Sequence, residues 1–306
     1  MFRMGEKIKL TSDFGVLTLA TRGDYLKAIG LALSLRVSNP GVPTAVACHP
    51  DLFPLLKPYF NHLVEEVKGL KGFAHKVFLD QYTPFKQTLF LDSDVLVFQE
   101  LRPHIELWPH QPYTACGVMK REGVSLFGLR REPVLKRLNV SEMVCIDGAG
   151  HAYFEKPACK AVFERARHVT EHYAEYGGGA VYADEDAMNI VMTEMAMSPA
   201  PYNSFFSRYV SAKPGTLQMD ASKGICKFVA ADTGKDFSPC MMHFASDEAP
   251  LAYGYQLRDL YSKFNAPGSG LWKMVFGDIY KSQVKPKARR FVRDRAPWLF
   301  QMIKKK

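Results

Sequence analysis

Hydrophobic and polar positions along this chain follow two periods in turn. Residues 14–20, Phe-Gly-Val-Leu-Thr-Leu-Ala, form an unbroken apolar run that reads as a buried strand. After the turn Thr21-Arg22-Gly23-Asp24, Leu26, Ile29, Leu33 and Val37 recur at helical spacing. They predict a helix over 25–37, stopped by Asn39-Pro40-Gly41. Residues 44–48 read as a second strand, and 52–60 as a short helical segment around two prolines. Strand, helix, strand is the opening of a parallel sheet.

Residues 88–98 are the most apolar short stretch, broken only by Asp92-Ser93-Asp94. Weaker strands are predicted at 113–119 and 151–154, helices at 157–173 and 184–195, and another strand at 241–244. The segment 119–150 carries no readable period, and no internal repeat is present. Pro267-Gly268-Ser269-Gly270 reads as the end of the folded body, dividing the chain into a domain over 1–270 and a tail over 271–306.

With 306 residues, 47% of them hydrophobic, the chain can bury a full core, and its 23% of charged residues argues against wholesale disorder. The six cysteines contain no CxxC pair, so neither a zinc knuckle nor a disulfide framework has support. Leu10 to Ala20 is interrupted by Thr11, Ser12 and Asp13, unlike a signal peptide, and no stretch approaches the ~20 apolar residues of a membrane span. These features predict a soluble or peripheral protein, cytoplasmic or on the inner face of the membrane.

Charge changes the picture only at one end. Residues 281–306 hold ten Lys/Arg against Asp294 alone, which accounts for the whole net charge of +9 and leaves the other 280 residues balanced. A basic tail on a neutral body speaks against nucleic-acid binding by the domain. Within it, Phe291, Val292, Trp298, Leu299, Met302 and Ile303 share one helical face, with Pro297 expected to kink or restart the helix. That pattern suits an anionic membrane surface, with a solvated end or a packing helix as the alternatives.

The acidic pair carries the candidate chemistry. Two aspartates two residues apart on an extended chain point to one side, here between Leu89-Phe90-Leu91 and Val95-Leu96-Val97. Two ionised carboxylates beside so much apolar surface are costly unless a positive charge compensates. A divalent cation does so and keeps sites open for diphosphate oxygens. The residues alone equally allow a strand that exits to solvent at Asp92.

The stretch from Tyr82 to Leu101 resembles the metal-binding strand of GT-A-fold glycosyltransferases, most of all family 8, the glycogenin and bacterial galactosyltransferase type. Leu19-Ala20-Thr21 with Tyr25 is similar to the family's first loop, where nucleotide base and ribose sit. Lys76 falls where the family carries a basic residue near donor sugar and phosphates. Asp184-Glu185-Asp186-Ala187-Met188-Asn189 is similar to its Asp-Gln-Asp-x-Leu-Asn segment at a helix start, and Met242-His243-Phe244 to the strand whose His completes the metal site. Gly148-Ala149-Gly150, ahead of the strand at 151–154, resembles its close approach to the donor sugar.

The resemblance implies an α/β GT-A fold, a Rossmann-like, mostly parallel sheet flanked by helices. It implies a metal-dependent transfer of a hexose from a nucleotide-sugar, UDP-linked, with retention of configuration, to a glycan, glycolipid or protein acceptor. Asp92, Asp94 and His243 would hold Mn²⁺ or Mg²⁺, the mixed oxygen and nitrogen set suiting Mn²⁺ better. Lys76, Asp184 and Asp186 would act on the donor, which Ala20, Thr21, Tyr25, Ser93, Gly150 and Glu185 would contact. Two departures stand out: Glu185 replaces the family's glutamine, and the Gly and Lys-Pro-Trp that follow the metal His are missing. Asp184 to Asp186 also suit a plain helix start, where acids are favoured. The competing readings are a sugar nucleotidylyltransferase, whose Gly-rich start Ala20-Thr21-Arg22-Gly23 does not match, and a non-catalytic membrane binder working through the tail.

Overall fold

The computed structural model describes residues 6–70, 72–146, 150–177, 184–245 and 249–295. Its strands are β1 (Phe14–Ala20), β2 (Thr44–Cys48), β3 (His62–Glu65), β4 (Gln87–Leu91), β5 (Val95–Val97), β6 (Tyr113–Thr114), β7 (Val118–Lys120), β8 (Met143–Cys145), β9 (His151–Glu155), β10 (Phe206–Arg208), β11 (Gln218–Asp220), β12 (Ile225–Val229), β13 (Asp236–Phe237) and β14 (Met241–His243). The main sheet has the order β3-β2-β1-β4-β9-β6. β1, β2, β3 and β4 run parallel, and β9 runs antiparallel to both β4 and β6. This is the mixed but mostly parallel α/β sheet expected from the sequence.

Both faces of that sheet are covered, which is why β1, β2 and β4 read as continuous apolar runs. Leu17, Phe90 and Phe154 face the helices Lys160–Glu171 and Asp184–Glu194. On the opposite face Val16, Leu89 and Tyr153 pack with Leu31 and Leu35 of the helix Tyr25–Ser38. That helix is buried nearly all round, because β5 and the helix Pro250–Lys263 enclose its far side. Gly30 permits the approach: a Cβ there would lie 2.1 Å from Leu257 Cδ2.

A second sheet, β10-β14-β5, stands beside the C-terminal end of β4. β5 is antiparallel to β14, with His243 opposite Val95, while β10 is parallel to β14, with Arg208 opposite His243. The hairpin β7-β8 and the antiparallel sheet β11-β12-β13 complete the strands.

Several expectations change. Residues 113–119 are two strands, not one: β6 joins the main sheet and β7 pairs with β8. The chain changes partner at Gly117, where a Cβ would meet Cys145 O at 2.5 Å. The unassigned 119–150 holds β8 and the helix Arg131–Leu138, whose only buried apolar residues are Val134 and Leu135. The helical segment expected over 52–60 stops at Leu56, with Lys57 as its cap and Pro58 directly after it.

The packed body also runs past Gly270. The helix Leu271–Ile279 buries Leu271 and Val275, and Val275 fits against Gly254 of the preceding helix. Pro267-Gly268-Ser269-Gly270 is therefore a turn between two packed helices. The chain continues helically through Tyr280–Val284 into Lys285–Arg295. Trp298, Leu299, Met302 and Ile303 lie outside the described residues.

Candidate active site

The acidic pair is a turn rather than part of one extended strand. β4 is buried at all five positions and ends at Leu91, and Val95 N donates to Asp92 O (3.1 Å) as the chain reverses into β5. The reversal, not strand alternation, brings the two carboxylates together. Ser93 forms its apex, and its carbonyl faces the Tyr253 hydroxyl at 3.5 Å.

β14 delivers His243 to the same place. Phe244 N donates to Asp94 O (2.9 Å), which locks the strand end against the turn. His243 Nε2 lies 3.1 Å from Asp94 Oδ1 and 4.0 Å from Asp92 Oδ2. One ligand atom from each of Asp92, Asp94 and His243 lies within 4.8 Å of the others. Two carboxylates and an imidazole at that spacing fit a divalent cation with oxygen and nitrogen ligands. Burial pushes the Asp94 carboxyl up, but the His243 hydrogen bond and the charges of His243, Lys27 and Lys76 hold it below its ordinary value.

Gly150 closes the site from β9. Its carbonyl accepts from Asp92 N (2.7 Å), and its φ of 55° is left-handed. A Cβ at Gly150 would sit 3.1 Å from Asp92 Oδ2 and 3.2 Å from His243 Cε1. Only glycine satisfies both demands. Gly148 and Ala149 lie outside the described residues.

Lys76 stands on the other side of Asp92. Its Nζ is 2.9 Å from Asp92 Oδ1, 3.0 Å from Oδ2 and 3.4 Å from Asp184 Oδ2, between the rings of Phe73 and Phe90. Burial opposes its charge, yet the carboxylates of Asp92 and Asp184 outweigh burial and hold the ammonium above the ordinary lysine value. Asp184 opens its helix and is nearly buried; desolvation raises its carboxyl and Lys76 works against that rise. Lys76, Asp184, Glu185, Gly150 and Tyr113 line a cavity of about 40 Å³, room for a water or two.

Asp186 does not line that cavity. It is 1% exposed, and its Oδ2 accepts from Tyr173 OH (2.7 Å) and Ser125 Oγ (2.9 Å). Asn189 and Thr193, one and two turns on, accept from Ile146 N and Val144 N. The helix is thus stitched to β8 and its flank along one face. Ser125 and Tyr173 carried no signal in the sequence, because each acts through a residue more than ten positions away.

Ala20 and Thr21 sit at the C-terminal end of β1, and Tyr25 N donates to Thr21 O (2.9 Å). Asp24 caps the same turn through Thr21 N. One turn further on, Lys27 is buried and pairs with Asp278 at 2.8 Å. Sequence reading missed this lysine, since a charge at a helical core position looks like an interruption until its partner is placed. The structure therefore gathers Lys76, Asp92, Asp94, Gly150, Asp184, Glu185 and His243 around one centre, with the β1 turn at the same edge of the sheet.

No protein-family model and no curated protein sequence matches the chain. Solved structures do. LgtC, a galactosyltransferase crystallised with donor and acceptor sugar analogues, is similar at 14% identity and a TM-score of 0.52, over 84% of this chain and 98% of that one. An active-site variant of LgtC is similar at 15% identity and 0.52, over 81% and 95%. The bifunctional glycosyltransferase WbbM matches at 15% identity and 0.53, over 88% of this chain and 53% of its own. The chain has the fold of the GT-A glycosyltransferases, as a divergent example of it.

Proposed function

We propose that the chain is a glycosyltransferase that moves a hexose from a UDP-sugar to an acceptor with retention of configuration. One observation carries the reading: Asp92, Asp94 and His243 converge, beside Lys76, at the strand C-termini of a sheet with this fold. Ligands of open α/β sheets bind at that edge.

Asp92, Asp94 and His243 would hold a divalent cation, Mn²⁺ ahead of Mg²⁺, and its Lewis-acid charge would serve the departing diphosphate. Lys76 adds a fixed positive charge on the sugar side of Asp92. Asp184 and Glu185 offer acceptors to sugar hydroxyls, and Glu185 bears on which sugar fits. Asp186, tied to Tyr173 and Ser125, holds the start of that helix in place. The turn at Ala20, Thr21 and Tyr25 receives base and ribose, and Ser93 and Gly150 flank the phosphates and sugar.

We propose also that the C-terminal helices dock the enzyme on an anionic membrane that carries the acceptor, a glycolipid or glycan. Phe276 and Phe291 are 60% and 65% exposed, and Tyr280 and Val284 between them are exposed too, on the continuous helical run over 271–295. Basic residues flank it, and no helix among the described residues is long and apolar enough to cross a membrane. The decisive assay is UDP release from a panel of UDP-sugars with and without Mn²⁺. Release that needs Mn²⁺ and prefers one sugar supports the reading; pyrophosphate-dependent formation of UTP would favour a nucleotidylyltransferase instead.

A further inference from the structure

We infer that His168, Glu171 and His172 form a second cation site, remote in sequence and chemistry from the Asp92 centre, that takes a borderline divalent transition metal of the zinc, copper or nickel kind. The three residues close the helix Lys160–Glu171, where positions three and four apart share a face. One ligand atom from each lies within 4.8 Å of the others. The two imidazole rings are 4.2 Å apart between centroids and inclined by 35°.

The hydrogen bonding fixes which nitrogen is available. His172 Nδ1 lies 2.9 Å from the carbonyl oxygen of His168. A carbonyl only accepts, so Nδ1 carries the proton and the neutral ring keeps its lone pair on Nε2. Metal-binding histidines are oriented in this way, one ring N–H given to a backbone carbonyl and the other nitrogen left for the ion. Here that preorganisation comes from the helix itself.

Donor type sets the metal. Two imidazoles and one carboxylate suit zinc, copper or nickel, whereas the carboxylate-rich Asp92 centre suits harder ions. His168 and Glu171 are exposed, so an ion enters from solvent and water completes its shell. Tyr173, the next residue, donates to Asp186 beneath the Lys76–Asp184 cavity. An ion on the last helical turn would stiffen that support, which gives the site a physical link to the donor end of the protein.

Equilibrium dialysis of the full chain against zinc alone, without nucleotide, tests the inference. Asp94→Asn should keep one zinc, whereas His168→Ala and His172→Ala, each combined with Asp94→Asn, should weaken its binding roughly tenfold or more. His168 is exposed and His172 half-buried, and far-UV circular dichroism checks that the variants fold; His168→Gln and His172→Gln serve where the alanine variants do not. In copper-loaded Asp94→Asn, electron paramagnetic resonance should show two nitrogen ligands. Zinc that disappears in Asp94→Asn, or that the histidine variants bind as tightly as their parent, overturns the site. So does a copper spectrum with fewer than two nitrogens.

Discussion

The carboxylate of Asp278, on the last packed helix, lies 2.8 Å from the buried ammonium of Lys27, on the first. The pair joins the C-terminal helix Leu271–Ile279 to the helix that follows the β1 turn. Burial raises the Asp24 carboxyl and the Lys27 charge only works against that rise, while at Asp94 the same charge joins His243 in holding the carboxyl below its ordinary value. The helix Leu271–Ile279 therefore holds, through Asp278, a lysine whose charge reaches Asp94.

Truncation separates this packing role from membrane docking. A chain ending at Val284 keeps Leu271, Val275 and Asp278 and should still release UDP at near-parent rates. It should lose most binding to anionic vesicles, because each Lys/Arg near such a surface contributes ~1 kcal/mol. Salt should weaken what the full chain retains. A chain ending at Gly270 leaves Lys27 buried and unpaired, and its melting temperature should fall sharply. Vesicle co-sedimentation with equal binding by full-length and Val284-terminated proteins would remove the tail from the docking model.

Metal dependence should follow Asp94. Asp94→Asn should lower Mn²⁺-stimulated turnover by about two to three orders of magnitude, as loss of a transition-state charge contact does, with little change in circular dichroism. EDTA should reduce the parent enzyme to the same level. Near-parent activity of the variant in EDTA would sink the assignment.

Lys76→Met should separate binding from turnover. The ammonium competes for Asp92, so its removal should tighten Mn²⁺ binding, read by calorimetry. Turnover should nevertheless fall, since the same charge is proposed to serve the diphosphate. Without metal the variant should melt lower, because Asp92 and Asp184 lose their shared cation. Weaker Mn²⁺ binding would show that Lys76 supports the metal site instead.

Gly150→Ala should damage the site through the backbone. The φ of 55° costs a residue with a Cβ about 1–2 kcal/mol, and the new carbon presses on Asp92 and His243. Both melting temperature and Mn²⁺ affinity should drop. Unchanged affinity would place Gly150 outside the centre.

Asp186 should show its role in the pH dependence of stability. Burial raises its carboxyl above the unfolded value, against hydrogen bonds from Tyr173 and Ser125. The folded state then favours the protonated acid, so this contribution is fully present below the unfolded pKa, near 3.9, and is lost as pH rises through the higher folded pKa. Asp186→Ala should abolish that part of the slope while costing about 1–3 kcal/mol by stranding the Tyr173 hydroxyl. Melting curves from pH 3 to 7 read both effects. UDP affinity should change little; equal losses of UDP binding and sugar transfer would contradict a role confined to the sugar end.

The legible parts of this protein were those governed by local periodicity. β1 and β2 were read at their observed limits, because strands buried on both faces are written as continuous apolar runs. The helices at Tyr25 and Asp184 were read within a residue or two for a related reason: their core contacts repeat every turn. Asp92-Ser93-Asp94 stood out because charge inside an apolar run needs a reason. The hairpin β7-β8 and the helix Arg131–Leu138 were not legible, since short half-exposed elements bury too few side chains to leave a period.

What the sequence alone determined is the α/β layering, the parallel core and the acidic break in its most apolar stretch. Tertiary structure alone decided what meets that break. His243 reaches Asp94 across 149 residues of chain through the β5–β14 register, and Asp278 reaches Lys27 through helix packing. It also turned Asp186 away from the cavity toward Tyr173 and Ser125. Such pairings depend on strand register and on the shape of packed helices, sums of many weak contacts between distant segments that no local spacing records.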